Sequence, residues 1–329
     1  VNTTILITGG AGYIGSQVVK GLNERGYRTI TYDNLVNGHR ESVKWGEFVK
    51  GDVGDTERLR QVFSAYDVGA VMHFAAYIEA PESVRDPRKH YHNNTINTLK
   101  LLDVMLNHQV LRFIYSSSCA VYGEPKEIPI TENHPFGPIN PYGQSKLMVE
   151  KVLADYDRAY GLKYISFRYF NAAGADPDAG LGENHKPETH LIPLVFEAAL
   201  GKSKSTCIYG EDYNTPDGTC IRDYIHVIDL AQAHILGLEK LLGGSVSDVF
   251  NLGNGQGYSV KEVIRTVKEI TGVDFPTIIA PRRDGDVSCL VGSSQKAREI
   301  LGWMPRHPGL KTIVQSVWDW YNKRGIRHN

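Results

Sequence analysis

Cysteine is scarce in this chain. The four present, Cys119, Cys207, Cys220 and Cys289, are scattered with no Cys-x-x-Cys spacing. That argues against a zinc site or a disulfide framework and fits a reducing cytoplasm. An excess of one charge is also missing: 36 Lys and Arg against 37 Asp and Glu leave a formal net charge of −1. No basic surplus therefore points to nucleic acid. No apolar run approaches the roughly 20 residues that a membrane helix needs. The sequence enters a strand within a few residues, which leaves no room for a signal peptide in front of it. The expectation is a cytoplasmic protein that engages neither nucleic acid nor membrane. Internal repeats and low-complexity tracts are absent too. What is there is ordinary globular composition, 41% hydrophobic and 22% charged over 329 residues. That length has room for a large core and one or two domains.

The stretch around which the rest is organised is Ile5-Leu6-Ile7-Thr8-Gly9-Gly10-Ala11-Gly12-Tyr13-Ile14-Gly15. A short apolar run reads as a buried parallel strand, and it runs straight into glycines. Beyond Gly15, apolar residues at helical spacing follow through Leu22. A strand, a tight turn and a helix N-terminus in that order can seat a pyrophosphate. The first glycines let the backbone approach it, the last allows helix and strand to pack closely, and unpaired N–H groups face the phosphates. A glycine motif alone is weak. Asp33 strengthens it: it ends a second strand-like run, Tyr27–Tyr32, about 20 residues further on, where a carboxylate binds an adenosine ribose. The same carboxylate repels the extra phosphate of NADP, so the cofactor expected is NAD.

Strand-like and helix-like stretches then alternate. Phe48–Lys50 reads as a strand, Thr56–Tyr66 as a helix, and Ala70–Phe74 as a strand ending in Ala75 and Ala76. A long helix is expected from Arg88 to His108, then a strand at Arg112–Tyr115 ending in Ser116, Ser117 and Ser118. This alternation predicts an α/β fold with a doubly wound parallel sheet and ligands at the strand C-terminal ends. From Asn171 to His190 periodicity is lost, as in a functional or lid-like loop. Helical stretches follow at Val227–Leu242, Val260–Thr271 and Leu310–Asn322. The expected division is a dinucleotide-binding domain at 1–170 and a smaller substrate-binding domain at 171–329. A segment near 223–252 is expected to pack back on the first.

The sharpest constellation for chemistry is Asn140-Pro141-Tyr142-Gly143-Gln144-Ser145-Lys146. Asn140 suits an N-cap and Pro141 the first helical position, which puts Tyr142 and Lys146 on one helix face. A phenol is a poor base at neutral pH, and a neighbouring ammonium lowers its pKa. Tyr142 is thus the candidate general acid/base, with Lys146 its helper. The bland alternative is a surface tyrosine beside a solvated lysine. Ser118, at the end of the preceding strand, can share a substrate hydroxyl with Tyr142. Ser116 and Ser117 can equally do no more than finish the strand. The histidines, scattered singly, are read as structural or exposed, and no metal site is expected.

These features resemble the extended short-chain dehydrogenase/reductase superfamily and, within it, the UDP-glucose 4-epimerase family. The residues that carry the closer resemblance are Asn34–Gly38, Phe167–Gly174, Asp217–Val227 and Ala280–Asp286, and the similarity covers essentially the whole chain. It implies a Rossmann-like first domain and interconversion of UDP-glucose and UDP-galactose at sugar carbon 4, in galactose metabolism, by a homodimer. N-acetylated UDP-sugars are a further expected substrate. It also implies cofactor contacts from Gly9, Gly12, Tyr13, Ile14, Gly15, Asp33, Asn34, Asn37 and Gly38, with Asp52 and Val53 beside the adenine. Phe74, Ala75 and Ala76 then form the cofactor floor, and Asn93, Ser116, Tyr142, Lys146 and Tyr169 lie along its remainder. Ser118 and Tyr142 would meet the hexose, and Phe170, Asn171, Leu191, Arg222, Arg283 and Asp286 the nucleotide part. Arginines are natural diphosphate partners. Leu290 would form the wall beside sugar carbon 2. One departure is that some such epimerases carry a lysine shortly after the Phe-Ala-Ala stretch, whereas Tyr77-Ile78-Glu79-Ala80 has none.

Two other readings compete. A 4,6-dehydratase or decarboxylase of the same fold is disfavoured because Ser118 is followed by Cys119 and Ala120 rather than an acidic pair. A non-catalytic NAD-sensing protein is disfavoured because the Tyr/Lys pair is present.

Overall fold

The computed structural model describes residues 3–283 and 286–326; Asp284 and Gly285 of the Ala280–Asp286 motif lie outside them. The chain opens with β1 (Thr4–Thr8), α1 (Tyr13–Glu24), β2 (Arg28–Asp33), β3 (Glu47–Lys50), α2 (Thr56–Ala65) and β4 (Val68–His73). Next come α3 (Ala80–Arg85), α4 (Pro87–His90), a π turn at Tyr91–Ile96, α5 (Asn97–Asn107), β5 (Arg112–Ser118), α6 (Pro141–Tyr160) and β6 (Lys163–Tyr169). The long helix expected from Arg88 to His108 is present, running from Pro87 to Asn107 with a π segment at Tyr91–Ile96. At its π turn the Asn94 side chain bonds both the N–H and the C=O of Tyr77, each at 2.9 Å.

After β6 lie β7 (Asn171–Ala173), α7 (Leu191–Ala199), β8 (Thr206–Tyr209), β9 (Ile221–His226), α8 (Val227–Leu242) and β10 (Asp248–Leu252). The chain ends with β11 (Gly257–Ser259), α9 (Val260–Thr271), β12 (Thr277–Ala280), β13 (Cys289–Leu290), α10 (Gln295–Leu301) and α11 (Leu310–Lys323).

Seven strands form one parallel sheet in the order β10-β6-β5-β4-β1-β2-β3. Without β10 this is the doubly wound order, with its switch point between β1 and β4. Period-two geometry explains why β1 is apolar throughout: Ile5 and Ile7 face one core and Leu6 the other. The first core is closed by α1 and α8, which pack closely. A Cβ on Gly21 of α1 would stand 2.6 Å from Ile235 Cδ1 of α8. The second core is closed by residues of α2, α5 and α6. So β10 and α8, late in sequence, lie on the first sheet.

A smaller layer sits over the strand C-terminal ends. There β9 pairs with β7, β11 and β13, and β8 pairs with β12, above a core built with α7, α9 and α11. The register between β13 and β9 sets Leu290 opposite Arg222.

Candidate active site

Glycine geometry shapes the floor of a cleft at the carboxyl ends of β1, β2, β4 and β5. Gly9 has φ +74°, and a Cβ on Gly15 would stand 2.3 Å from the Gly9 carbonyl oxygen, so neither position admits another residue without rearrangement. Helix α1 starts with Gly12 as N-cap, with no side-chain cap and no acidic residue in its first turn. Its leading N–H groups are therefore free to meet an anion. Asp33, buried at the end of β2, accepts from the Ala11 N–H at 3.0 Å and the Leu35 N–H at 2.8 Å. Burial raises its pKa against those two bonds. Asp52 accepts from Asn34 Nδ2 at 2.7 Å, joining β2 to the loop after β3.

The cleft has a volume of about 650 Å³, within the usual range for ligand sites. All the candidate residues line it except Leu191, which lines a side cavity that shares Asn171, Arg222, Arg283 and Asp286 with the cleft. The chemical end is formed by β5 and α6. Asn140 caps α6 through the Gly143 N–H at 2.9 Å, with Pro141 next, so the helix begins where its sequence dictates. Lys146 Nζ donates to the Ser116 carbonyl at 2.8 Å and lies 5.9 Å from the Tyr142 ring centre. The Ser118 hydroxyl lies beside the Tyr142 phenol, where it lowers the phenol's pKa, and accepts from the Ala120 N–H at 3.1 Å. Ser116 bonds the Tyr169 hydroxyl, and Ser117 turns away to Glu150 at 2.5 Å.

One expectation about this pair needs correcting. Burial raises the Tyr142 phenol rather than lowering it, and Tyr169 adds to the effect. Burial also lowers Lys146 to about 7. The lysine has thus lost its proton before the phenol titrates, so in the protein alone it cannot pull the phenol down. A fixed positive charge beside Tyr142 would be needed to do so.

Beneath the site is a buried ion pair that sequence reading missed. Arg168 on β6 meets Glu150 on α6, Nε to Oε1 at 3.0 Å and Nη2 to Oε2 at 2.5 Å, with side chains 4% and 5% exposed. Arg168 also donates to the Tyr122 hydroxyl at 2.9 Å. At the nucleotide end Asp286 accepts from Arg283 Nε at 2.9 Å and lies 3.7 Å from Arg222 Nη2. Arg283 stacks over the Tyr209 ring at 4.8 Å, another cleft residue not anticipated. His73 is structural: it is buried between the hydroxyls of Thr8 and Thr98, and burial lowers it to about 3. Cys119, pushed up to about 12 by burial, is an inert thiol.

The expectation that the histidines stand singly fails at the loop before α7. Glu183, His185 and His190 converge on the cleft, and the Glu-x-His-x₄-His spacing was the available signal. Burial alone would lower His190, but its bond to Glu188 and the charge of Glu183 push it up to about 9.

Residues 5–253 match the model of the NAD dependent epimerase/dehydratase family. The chain is 50% identical to the UDP-glucose 4-epimerase of Halalkalibacterium halodurans over 97% of its length and 96% of that protein's. It superposes with a TM-score of 0.92 on the Bifidobacterium longum UDP-glucose 4-epimerase in complex with NAD+ and UDP, at 39% identity, covering 98% of this chain and 99% of that one. For the Campylobacter jejuni UDP-Glc/GlcNAc 4-epimerase the TM-score is 0.84 at 42% identity, with 98% and 99% covered. With a family model over most of its length and epimerases matching nearly all of it, the chain belongs to the NAD dependent epimerase/dehydratase family, among its UDP-glucose 4-epimerases.

Proposed function

We propose that the chain interconverts UDP-glucose and UDP-galactose at sugar carbon 4, with NAD held as a permanent cofactor. The observation that carries this is a single cleft that joins the glycine turn and Asp33 to Tyr142 and Ser118, and these in turn to Arg222 and Arg283. The residues fit NAD. The uncapped N-terminus of α1 takes the pyrophosphate and the Asp33 carboxylate takes the adenosine ribose while excluding a 2′-phosphate. NAD bound there would supply reversible hydride transfer at sugar carbon 4 and a positive charge beside the phenol.

The protein's own groups do the rest. Tyr142 removes the proton of the 4-hydroxyl and later gives it back. Ser118, beside the phenol, orients that hydroxyl. Arg222 and Arg283 grip the diphosphate, so a 4-keto sugar can turn over in the pocket without leaving. Purified protein given UDP-galactose and no added dinucleotide should yield UDP-glucose, and denaturing it should release NAD. A 6-deoxy-4-keto product, or recovery of NADP, would overturn the reading. A homodimer in the cytoplasm, serving galactose metabolism, is the setting we assign. Exposed Ile96 and Met148 on neighbouring helical segments support a second copy there.

Below about pH 7 Lys146 carries its ammonium and above it does not. Lys146→Met should therefore slow turnover most on the acid side and move the acid limb of kcat to higher pH. Equal loss at every pH would leave the lysine only its anchoring bond to Ser116.

Substrate range turns on Leu290. It packs against the cluster of Cys119, Tyr122 and Phe170 while also lining the cleft, so it has both a packing role and a face toward ligand. Leucine leaves room that tyrosine would fill. The wild type should epimerise UDP-N-acetylglucosamine measurably but more slowly than UDP-glucose. Overpacking costs about 1–3 kcal/mol, so Leu290→Tyr should suppress the N-acetyl activity roughly 5- to 150-fold while sparing the other. Equal loss of both would remove Leu290 as the gate.

A further inference from the structure

Two carboxylates and two imidazoles crowd the wall between the cleft and its side cavity, and the reaction at carbon 4 uses none of them. Glu183 lies in the irregular segment between β7 and α7, its side chain 8% exposed. His185 Nδ1 hydrogen-bonds its Oε1, and His190 Nδ1 lies 3.8 Å from its Oε2. One donor atom from each of Glu183, His185 and His190 lies within 4.8 Å of the other two. Nearby, Glu188 Oε1 is fixed by the backbone N–H groups of Thr189 and His190, both at 2.8 Å, and holds His190 Nδ1 at 2.8 Å.

Buried carboxylates this close together favour a positive charge among them, which His185 and His190 supply when no metal is bound. A divalent cation can take that place, and the donor set selects the kind. Two imidazoles and a carboxylate suit zinc and its first-row neighbours, whereas calcium and magnesium prefer oxygen alone. Metal–nitrogen and metal–oxygen bonds near 2.0–2.2 Å require the donors to draw in by roughly 1 Å, within reach of side-chain rotation. The carboxylate of Glu188 on His190 is the outer contact that commonly orients a ligating imidazole. Three protein ligands leave a fourth position open, and both cavities are lined by Glu183 and His190.

We infer that Glu183, His185 and His190 form a binding site for a divalent first-row transition ion, zinc foremost, at the junction of the cleft and its side cavity. The ion ties the segment carrying Glu183 to His190, the N-cap of α7, and so braces the wall that the cavities share. The inference rests on these residues and not on the reaction assigned above.

The test is metal uptake by the full chain, purified without a histidine tag and stripped with a chelator. Co2+ alone is the probe. Wild type should take up one Co2+ per chain with the visible absorption of a low-coordinate site, and Zn2+ should displace it. His185→Gln and His190→Gln should each weaken uptake at least tenfold with unchanged circular dichroism. Glu183→Gln, nearly the same shape, serves as a third variant should either histidine change unfold the loop. Wild type without the Co2+ spectrum, or variants that bind as tightly as wild type, would overturn the site.

Discussion

Replacing Tyr142 with phenylalanine should lower kcat by about 10²–10⁴-fold while leaving the fold and UDP binding intact. Among the described residues no hydrogen bond holds the phenol to the fold, and α6 is capped independently by Asn140. Loss of one hydroxyl therefore removes proton transfer and little else. Isothermal titration with UDP and a turnover assay on the same preparation separate the two quantities. Near-normal kcat would mean that another group moves the proton. Cys119 also lies beside Ser118, but burial pushes its thiol up to about 12, so it is a poor substitute for the phenol.

The largest effect on stability should come from Arg168. Arg168→Leu leaves Glu150 charged and buried, with Ser117 as its remaining hydrogen-bond partner, and the Tyr122 hydroxyl loses a donor. Removing one member of a buried pair typically costs about 3–5 kcal/mol, and urea unfolding at fixed cofactor content should read that loss. The double replacement of Glu150 and Arg168 by apolar residues of similar volume should recover most of it. A single-variant loss under about 1 kcal/mol would show that water reaches Glu150 and that the pair contributes little to holding α6 on β6.

What could be read from the chain and what could not follow from how local each signal is. The glycine turn, Asp33 and the capped start of α6 depend on backbone rules within a few residues, and the structure places each on the expected element. The pair Arg168 and Glu150 is separated by a whole helix turn-back. Its meeting depends on which face of α6 rests on β6, which no spacing encodes. Tyr209 under Arg283 and Asn94 against Tyr77 are likewise tertiary meetings. The direction of the Tyr142 shift escapes the sequence for a different reason. Spacing places a lysine near a phenol, but desolvation is set by everything packed around both, and here it is the largest cause of both shifts. Leu191 lines the side cavity together with Asn171, Arg222, Arg283 and Asp286, the residues with which the resemblance groups it.

The central claim is that carbon 4 is oxidised and reduced again within one site, its hydrogen never reaching solvent. UDP-galactose carrying deuterium at sugar carbon 4 tests it in ordinary water with no dinucleotide added. The UDP-glucose formed should keep the deuterium on carbon 4 through many turnovers. Loss of the label to water at the rate of epimerisation would mean that carbon 4 gives up a proton instead, and would contradict the account.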